Sequence, residues 1–310
     1  MLEPFFSIII PVYNRSNLIK PAIESVIAQT FSNWELLIID DASTDDSCLV
    51  IEQYCLTDSR IRLFKQPFNQ ERGAARNKGI EKSQGTYICF LDSDDSFCEN
   101  HLQTLFESIQ KDMEPAMYFT NSYLVVNDAP KIEKKVPELE GWNVFDYLLI
   151  YTPNPARVCL ARSIVLEFQF DPSIPGLEDI DLWLRIATKY PLRHIKTFTN
   201  IYNVHQGSYS LGDAQRFEKE LKNFTSIFAK PVLSGKLPFW GKRRLLSMCC
   251  FHLSQQANGA SNKTKAFRFA LRSFLLFPKG YNGKTNKIVM VTMFYCLPIV
   301  GSLFKMVMKK

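Results

Sequence analysis

The chain has 310 residues, 46% of them hydrophobic, which allows one large domain or one domain with a sizeable extension. The first residues, MLEPFF, carry an acid and a proline where a secretory signal needs positive charge followed by an apolar run, so the sequence predicts a cytoplasmic protein. The eight cysteines show no C-x-x-C pair, which argues against a structural zinc site and favours reduced thiols.

Charge is distributed unevenly along the chain. The formal net charge is +6, yet residues 231–310 contain 14 Lys or Arg and no Asp or Glu, whereas the preceding residues contain 23 basic and 31 acidic side chains. Such segregation indicates an anionic partner for the basic segment, and lipid, nucleic acid and pyrophosphate are the candidates. Because the body is acidic and no nucleic-acid recognition motif is present, we favour an anionic membrane surface. A solvated basic face is the alternative.

The first third of the chain alternates short β-branched apolar runs with longer amphipathic stretches. This rhythm predicts an α/β fold with a doubly wound, mostly parallel sheet, in which ligands bind beyond the carboxyl ends of the strands. Strands are predicted at residues 6–12, 35–39, 61–65, 87–91 and 117–126. Helices are predicted at residues 17–29, 43–56, 72–82 and 99–111. Ser43 or Thr44 would cap the second helix, with Asp45 and Asp46 in its first turn.

The pattern changes near residue 231, so we predict a domain over residues 1–230 and a basic helical tail over residues 231–310. Helices are expected at residues 239–256 and 263–277. A further run, residues 288–304, contains no charge, but it is shorter than the ~20 residues of a spanning helix and Pro298 would kink it. It fits an interfacial helix, and a helix packed against protein is the alternative.

Acidic residues follow two predicted strands at the point where each strand ends. Asp40 and Asp41 follow the second strand, and Asp92, Asp94 and Asp95 follow the fourth. The carboxyl ends of such strands share one edge of the sheet, so these acids should converge on one crevice, where a divalent cation such as Mn²⁺ or Mg²⁺ would relieve their repulsion. The turn after the first strand lacks the glycines of a dinucleotide or P-loop site, so metal and side chains must handle phosphate.

Several segments, in the correct order, resemble family 2 glycosyltransferases of the GT-A fold over roughly residues 5–210. They are FSIIIPVYN, ELLIIDDASTDDS, ARNKGI, GTYICFLDSDD and GLEDIDLWLR. The resemblance implies inverting transfer of a single sugar from a nucleotide-sugar to a saccharide or lipid-linked glycan acceptor, in surface polysaccharide biosynthesis at the inner face of the plasma membrane. A UDP-sugar is the first candidate donor, with dTDP and GDP donors as alternatives. A non-catalytic nucleotide- or carbohydrate-binding scaffold is the rival interpretation.

The resemblance also implies which residues bind the nucleotide-sugar. They are Pro11, Tyr13, Asn14, Asp40, Asp41, Arg76 and Asp92. Asp41 would accept a hydrogen bond from the base, Asp40 would hold its turn, and Arg72 is a possible substitute for Arg76. Glu71 stands at a position that the family often fills with glycine, which puts the geometry of this loop in question.

Metal ligands are implied at the D-x-D motif. Asp92 would lie near the ribose or a metal-bound water and Asp94 would bind the metal, with Asp95 able to share that role. His205, in NVHQGSYS, has two interpretations: it approaches the metal or the diphosphate, or it is a structural hydrogen-bonding residue.

The E-D pair is implied to supply the catalytic base, because displacement at an anomeric carbon needs a group that takes the proton of the acceptor hydroxyl. Asp179 is the preferred base, and Glu178 and Asp181 are the alternatives. If this segment is helical, Asp181 points about 200° away from Asp179 around the axis, so only one of the two can face the crevice. Trp183 and Arg185 fit packing and salt-bridge roles.

Overall fold

The computed structural model describes residues 3–112, 114–127, 129–205, 214–259 and 262–277. The chain divides into two compact units, Met1–Ser208 and Tyr209–Lys310, and the predicted domain boundary at residue 230 stays a prediction. Seven cysteines lie in the described ranges, and all of them are free thiols.

The first unit is built on one mixed sheet, for which the described residues supply nine strands. The strands are β1 (Phe6–Val12), β2 (Trp34–Asp40), β3 (Ile61–Lys65), β4 (Tyr87–Phe90), β5 (Ser96–Phe97), β6 (Met117–Val126), β7 (Ile132–Lys134), β8 (Val158–Ala161) and β9 (Leu192–Val204). Their order is β3-β2-β1-β4-β8-β6-β9-β5, with β7 paired to β6. The β3-β2-β1-β4 half is parallel, as predicted, whereas β8 runs antiparallel to both β4 and β6.

Helices of the first unit connect the strands and cover the sheet. They are α1 (Ile19–Ile27), α2 (Ser47–Thr57), α3 (Glu71–Lys82), α4 (His101–Lys111), α5 (Val144–Tyr151), α6 (Arg162–Glu167) and α7 (Glu178–Ile186). Helix α1 shows why these segments are helical, because Ile19, Ala22, Ile23 and Val26 recur on one face and are all fully buried. These side chains join the apolar residues of β1 and β2 in the core.

The start of α2 differs from the prediction. The helix begins at Ser47 rather than at residue 43, and Asp45 and Asp46 precede it. Ser43 and Thr44 do not cap it, because their polar groups bond to the loop after β1: the Asn14 N–H donates to the Ser43 hydroxyl at 3.0 Å. Tertiary hydrogen bonds to Asn14 therefore replace the capping contacts that the sequence predicts for Ser43 and Thr44.

Helix α3 is held unusually close to the sheet, and this fixes the position of the residues that it carries toward the site. A Cβ atom added at Gly79 would lie 2.4 Å from Cγ2 of Ile9 on β1. Only glycine permits this approach, since a methyl group at that distance would overlap the strand. Helix α3 therefore packs on β1 with little freedom to shift.

The second unit is helical where it is described. It contains α8 (Ala214–Phe228), α9 (Phe239–Gly259) and α10 (Lys263–Leu276). The predicted helices at residues 239–256 and 263–277 are thus confirmed to within a few residues. Within the described ranges, none of the helices combines the length and apolar character that crossing a bilayer requires. The predicted helix at residues 288–304 lies outside the described residues.

Candidate active site

The loops that follow β1 and β2 are bonded to each other at the carboxyl edge of the sheet. Val12 and Asp40 are opposite each other in the β1–β2 register, which brings the two loops side by side. The Asn14 side-chain oxygen accepts the Thr44 N–H at 2.8 Å, and the Asp41 N–H donates to the Val12 carbonyl at 2.8 Å. Two predicted nucleotide-binding residues lie beside these bonded loops: Pro11 is buried in β1, and Tyr13 is exposed directly after β1.

Asp40 and Asp41 are both buried at the end of β2, but they face different partners. The Asp40 carboxylate accepts the Ser43 N–H at 3.2 Å and thereby holds the turn. Oδ1 of Asp41 accepts hydrogen bonds from the Gln66 side chain at 2.7 Å and from the Gln70 N–H at 2.8 Å. Burial raises the pKa of Asp41 above its usual value, although these hydrogen bonds oppose the rise. Asp41 thus joins the loop after β2 to the loop after β3.

A non-glycine residue in the left-handed backbone region occurs in the loop after β1, in the loop after β2 and at the first position of α3, which follows β3. The φ angles are 51° at Asn14, 64° at Ala42 and 70° at Glu71. Glycine adopts such angles without the steric cost that a Cβ atom imposes, so the family preference for glycine at position 71 has a backbone reason. Strain of this kind concentrates at ligand-binding segments, and here it occurs after each of β1, β2 and β3.

The D-x-D loop after β4 is shaped by Asn203 at the end of β9. The Asn203 side chain donates to the Asp94 carbonyl at 2.8 Å, and its backbone N–H donates to the Asp95 carboxylate at 2.9 Å. Asp95 is buried, and its second carboxylate oxygen has no hydrogen-bond partner. Burial, followed by the charges of Asp92 and Asp94, raises the pKa of Asp95 well above its usual value.

The other two acids of this loop, Asp92 and Asp94, are partly exposed. Asp94 lies beside His205, which the sequence predicted as a metal ligand. Oδ2 of Asp94 lies 3.1 Å from Nε2 of His205. This is a hydrogen-bond distance, and two ligand atoms bound to one cation at 2.0–2.2 Å and a right angle are also about 3 Å apart. The described residues contain no group of three His, Cys, Asp or Glu side chains arranged around one ion. Such a pair is the donor set expected where substrate phosphates and water complete the coordination.

Arg76 connects the D-x-D loop to the E-D motif. Its guanidinium is 1% exposed and donates to Asp92 at 2.7 Å and to Glu178 at 2.9 Å. The more exposed Arg72 lies 3.7 Å from the same Glu178 oxygen. Burial disfavours the charged form of Glu178, but the charges of Arg72 and Arg76 outweigh it and hold the Glu178 pKa below its usual value.

The three candidate bases, Glu178, Asp179 and Asp181, lie in different environments on α7. Asp179 is partly buried, and desolvation followed by the charge of Glu178 raises its pKa to about 7. Asp181 is fully buried and forms a salt bridge with Arg185 at 2.8 Å. Trp183 is buried and donates from Nε1 to the Pro153 carbonyl at 3.0 Å. The three acids therefore have different states: one in ion pairs with two arginines, one poised to titrate near neutrality and one in a structural salt bridge.

Sequence reasoning missed two supporting residues. Asn77, the last residue of the ARN triplet, donates to the Phe170 carbonyl at 2.9 Å and accepts the Phe170 N–H at 3.0 Å, which ties the segment before α7 to α3. Its position beside Arg76 in the motif is a signal that was available. Arg157 is buried, donates from Nε to the Thr120 carbonyl at 2.6 Å and leaves Nη2 without a partner. No sequence signal marked this side chain, because its burial depends on how β8 pairs with β6.

Comparisons with known proteins identify the family of the chain. The family model described as "Glycosyl transferase family 2" matches residues 7–153. The chain is 34% identical over 219 residues to the Escherichia coli protein named UDP-Glc:alpha-D-GlcNAc-diphosphoundecaprenol beta-1,3-glucosyltransferase WfgD, covering 70% of this chain and 82% of that protein. The chain belongs to glycosyltransferase family 2. It is also 35% identical over 236 residues to an uncharacterized glycosyltransferase of Rickettsia felis, of whose length it spans 38%.

Solved structures show the fold. TarS 1-349 of S. aureus, in complex with UDP-GlcNAc, superposes with a TM-score of 0.61 at 16% identity, covering 88% of this chain and 83% of that one. Mannosyltransferase PcManGT from Pyrobaculum calidifontis, in complex with GDP-Man and Mn²⁺, superposes with a TM-score of 0.60 at 15% identity, covering 96% and 86%. The GT-A fold implied by the sequence motifs is confirmed.

Proposed function

We propose that this protein is an inverting, cation-dependent glycosyltransferase that moves one sugar from a nucleotide-sugar to a lipid-linked glycan during surface polysaccharide biosynthesis. The observation that carries the proposal is the buried guanidinium of Arg76, which bonds both to Asp92 of the D-x-D motif and to Glu178 of the E-D motif. These two contacts hold Asp92, which is proposed to bind the nucleotide-sugar, and Glu178, the neighbour of the candidate base Asp179, within one site.

The nucleotide would bind against the loops after β1, β2 and β3. Asp41 would accept a hydrogen bond from the base, and its carboxylate bonds to Gln66 and Gln70 of the loop after β3. A UDP-sugar is our first candidate, because WfgD is named as using UDP-Glc and TarS was solved with UDP-GlcNAc. GDP donors come second, since PcManGT was solved with GDP-Man.

Asp94 and His205 would hold the divalent cation, with Asp92 beside them. The 3.1 Å separation of the Asp94 and His205 ligand atoms supports this assignment. When bound, Mn²⁺ or Mg²⁺ supplies positive charge to the departing diphosphate. The protein itself contributes the orientation of Asp94, because Asn203 bonds to its carbonyl and restrains the loop.

Asp179 would act as the general base. The acceptor hydroxyl oxygen attacks the anomeric carbon from the face opposite the diphosphate, its proton passes to the Asp179 carboxylate, and the bond from carbon to the diphosphate oxygen breaks. One substitution of this kind inverts the configuration and needs no covalent enzyme intermediate. A pKa of about 7 suits the role, because the group is then both ionised and basic near neutral pH.

The acceptor class is proposed from the relatives and the charge of the chain. WfgD is named for transfer to a sugar on diphosphoundecaprenol, a lipid carrier. The acid-free segment over residues 231–310 is compatible with work at a lipid surface. We therefore place the reaction at the cytoplasmic face of the plasma membrane.

The test is release of nucleoside diphosphate from a panel of UDP-, dTDP- and GDP-sugars with Mn²⁺, with Mg²⁺ or with EDTA, in the presence of candidate acceptors. Cation-dependent release should be lost in Asp94→Ala and in Asp179→Asn. Glu167→Gln, an exposed change away from the site, should retain it. Binding of a nucleotide without release from any donor would favour the rival scaffold interpretation.

A further inference from the structure

Helices α9 and α10 of the second unit form an antiparallel hairpin with one well-packed interface. Small polar residues join the helices: the Ser247 hydroxyl donates to the Ser273 carbonyl at 2.8 Å, and Ser254 donates to the Ala266 carbonyl at 2.9 Å. Ala266, Ala270 and Ser273 are buried there. These positions define the inner side of α10, where Phe267 also packs against Ala257 and Ala266, whereas Arg268, Leu271 and Arg272 are exposed.

The outward residues at one end of the hairpin are large and apolar. Phe239 and Trp240, at the start of α9, are 61% and 58% exposed, and Leu275, near the end of α10, is 61% exposed. Arg243 joins them, because its guanidinium lies 5.2 Å from the Phe239 ring centroid and its Nε donates to the Leu276 carbonyl at 2.7 Å. We call this group the hairpin face. Exposed apolar side chains grouped in this way are candidates for a contact surface.

Arginines flank the apolar residues of the hairpin face along α10. Arg268 and Arg272 are exposed at consecutive turns and form no salt bridge with any residue of the described ranges. A groove of about 860 Å³ runs along α10, and Arg268, Arg272 and Lys265 line it. Lys265 is already paired with Glu218 at 2.7 Å. No Asp or Glu occurs anywhere in residues 231–310, so the positive charge of the two arginines is not neutralised locally in the sequence.

Apolar side chains next to exposed arginines match the chemistry of a bilayer interface. Trp and Phe rings favour the boundary between headgroups and acyl chains, while arginines bind lipid phosphates and anionic headgroups. A nucleic acid would use the arginines but would leave Leu275 and Phe239 in water. A second copy of the chain would bury the apolar residues but would bring arginines together.

We propose that the hairpin face docks on an anionic lipid bilayer, with Phe239, Trp240 and Leu275 entering the headgroup region and Arg268 and Arg272 contacting anionic lipids. The inference deepens the proposed function by naming the surface on which the helical unit acts. Docking is measured without donor or acceptor, so its failure and the failure of sugar transfer are distinguishable.

The test is co-sedimentation of the full chain with vesicles of phosphatidylcholine alone or mixed equally with phosphatidylglycerol. We expect binding only to the mixed vesicles. Neutralising both arginines in Arg268→Gln/Arg272→Gln should weaken binding roughly 30-fold, about fivefold for each charge removed. The matched control is Lys20→Gln/Lys135→Gln, which removes the same charge from exposed positions of the first unit and should bind like the wild type.

Insertion is tested by quenching of tryptophan fluorescence with brominated lipids. Trp240→Phe should lose the quenching, whereas Trp142→Phe, at another exposed tryptophan, should retain it. Equal binding to both kinds of vesicle, no binding, or unchanged binding of the arginine variant would overturn the proposal. So would a dimer that Leu275→Glu dissociates, or binding to DNA that excludes the vesicles.

Discussion

Arg76 and Glu178 lie 102 residues apart in the sequence and form a buried ion pair, with Nη1 and Oε1 separated by 2.9 Å. The same guanidinium donates to Asp92 at 2.7 Å, so one cation is shared between the D-x-D loop and the start of α7. Its Nε has no partner and is buried. This arrangement keeps Glu178 ionised beside Asp179, and the negative charge of Glu178 contributes to the raised Asp179 pKa.

Replacing Arg76 tests this shared contact. Lysine keeps the charge but cannot donate to two carboxylates in a planar fork, so we expect Arg76→Lys to lower kcat/KM roughly 100-fold and to destabilise the fold by about 2–4 kcal/mol. Arg72→Lys, at the more exposed arginine, is the matched control and should cost less than about 1 kcal/mol. Kinetics and urea unfolding measure the two effects. Equal effects of the two variants would contradict the bridging role.

The pH dependence of transfer should report Asp179. Its pKa of about 7 means that the carboxylate needed as a base is lost as the pH falls below neutrality. We expect log kcat/KM to rise with a slope of about one up to roughly pH 7 and then to level. The measurement is an initial-rate profile with saturating cation. A flat profile between about pH 5.5 and pH 8 would assign the base to another group.

Asp179 should also reduce stability at neutral pH. Its folded pKa lies above the unfolded value of 3.8, so the stability that this group contributes is present at low pH and is lost as the pH rises toward 7. Asp179→Asn removes the penalty and should raise Tm by a few degrees at about pH 8, with a smaller gain at about pH 5. Activity should fall at least 100-fold. A Tm gain independent of pH would argue against this explanation.

Cation binding should depend on Asp94 and His205 together. His205→Ala should raise the Mn²⁺ concentration required for half-maximal binding by about tenfold, and Asp94→Ala should abolish binding in the presence of UDP. Electron paramagnetic resonance of free Mn²⁺ measures this without turnover. Glu107→Gln, on the exposed side of α4, is the control. Normal Mn²⁺ affinity in both site variants would exclude this pair as ligands.

Backbone strain at Glu71 can be relieved by a single substitution. Its φ of 70° favours glycine, so Glu71→Gly should raise the free energy of unfolding by up to about 1 kcal/mol. Glu81→Gly makes the same chemical change in the last turn of α3 and should lower it by up to about 1 kcal/mol. Urea midpoints measure both. Destabilisation by Glu71→Gly would show that the Glu71 side chain contributes more to the free energy of unfolding than its backbone strain costs.

The strands of the parallel half were predictable because each is a short, continuous apolar run bounded by polar or turn-forming residues. The predicted limits of β1, β3 and β6 match the structure residue for residue. The first turn of α2 was predicted wrongly, since Ser43 and Thr44 carry a local capping signal that contacts with Asn14 override. Local chemistry decides the element, and long-range hydrogen bonds decide where it begins.

For the site, the sequence alone predicted that the acids after β2 and β4 share one edge of the sheet, because the carboxyl ends of parallel strands do so whatever their side chains contact. Only the tertiary structure decided what each acid does there. Asp179 and Asp181 are two positions apart and chemically identical, yet the pKa of Asp179 is raised to about 7 whereas Asp181 forms a salt bridge with Arg185. Burial and nearby charge set these differences, and both depend on residues distant in the chain.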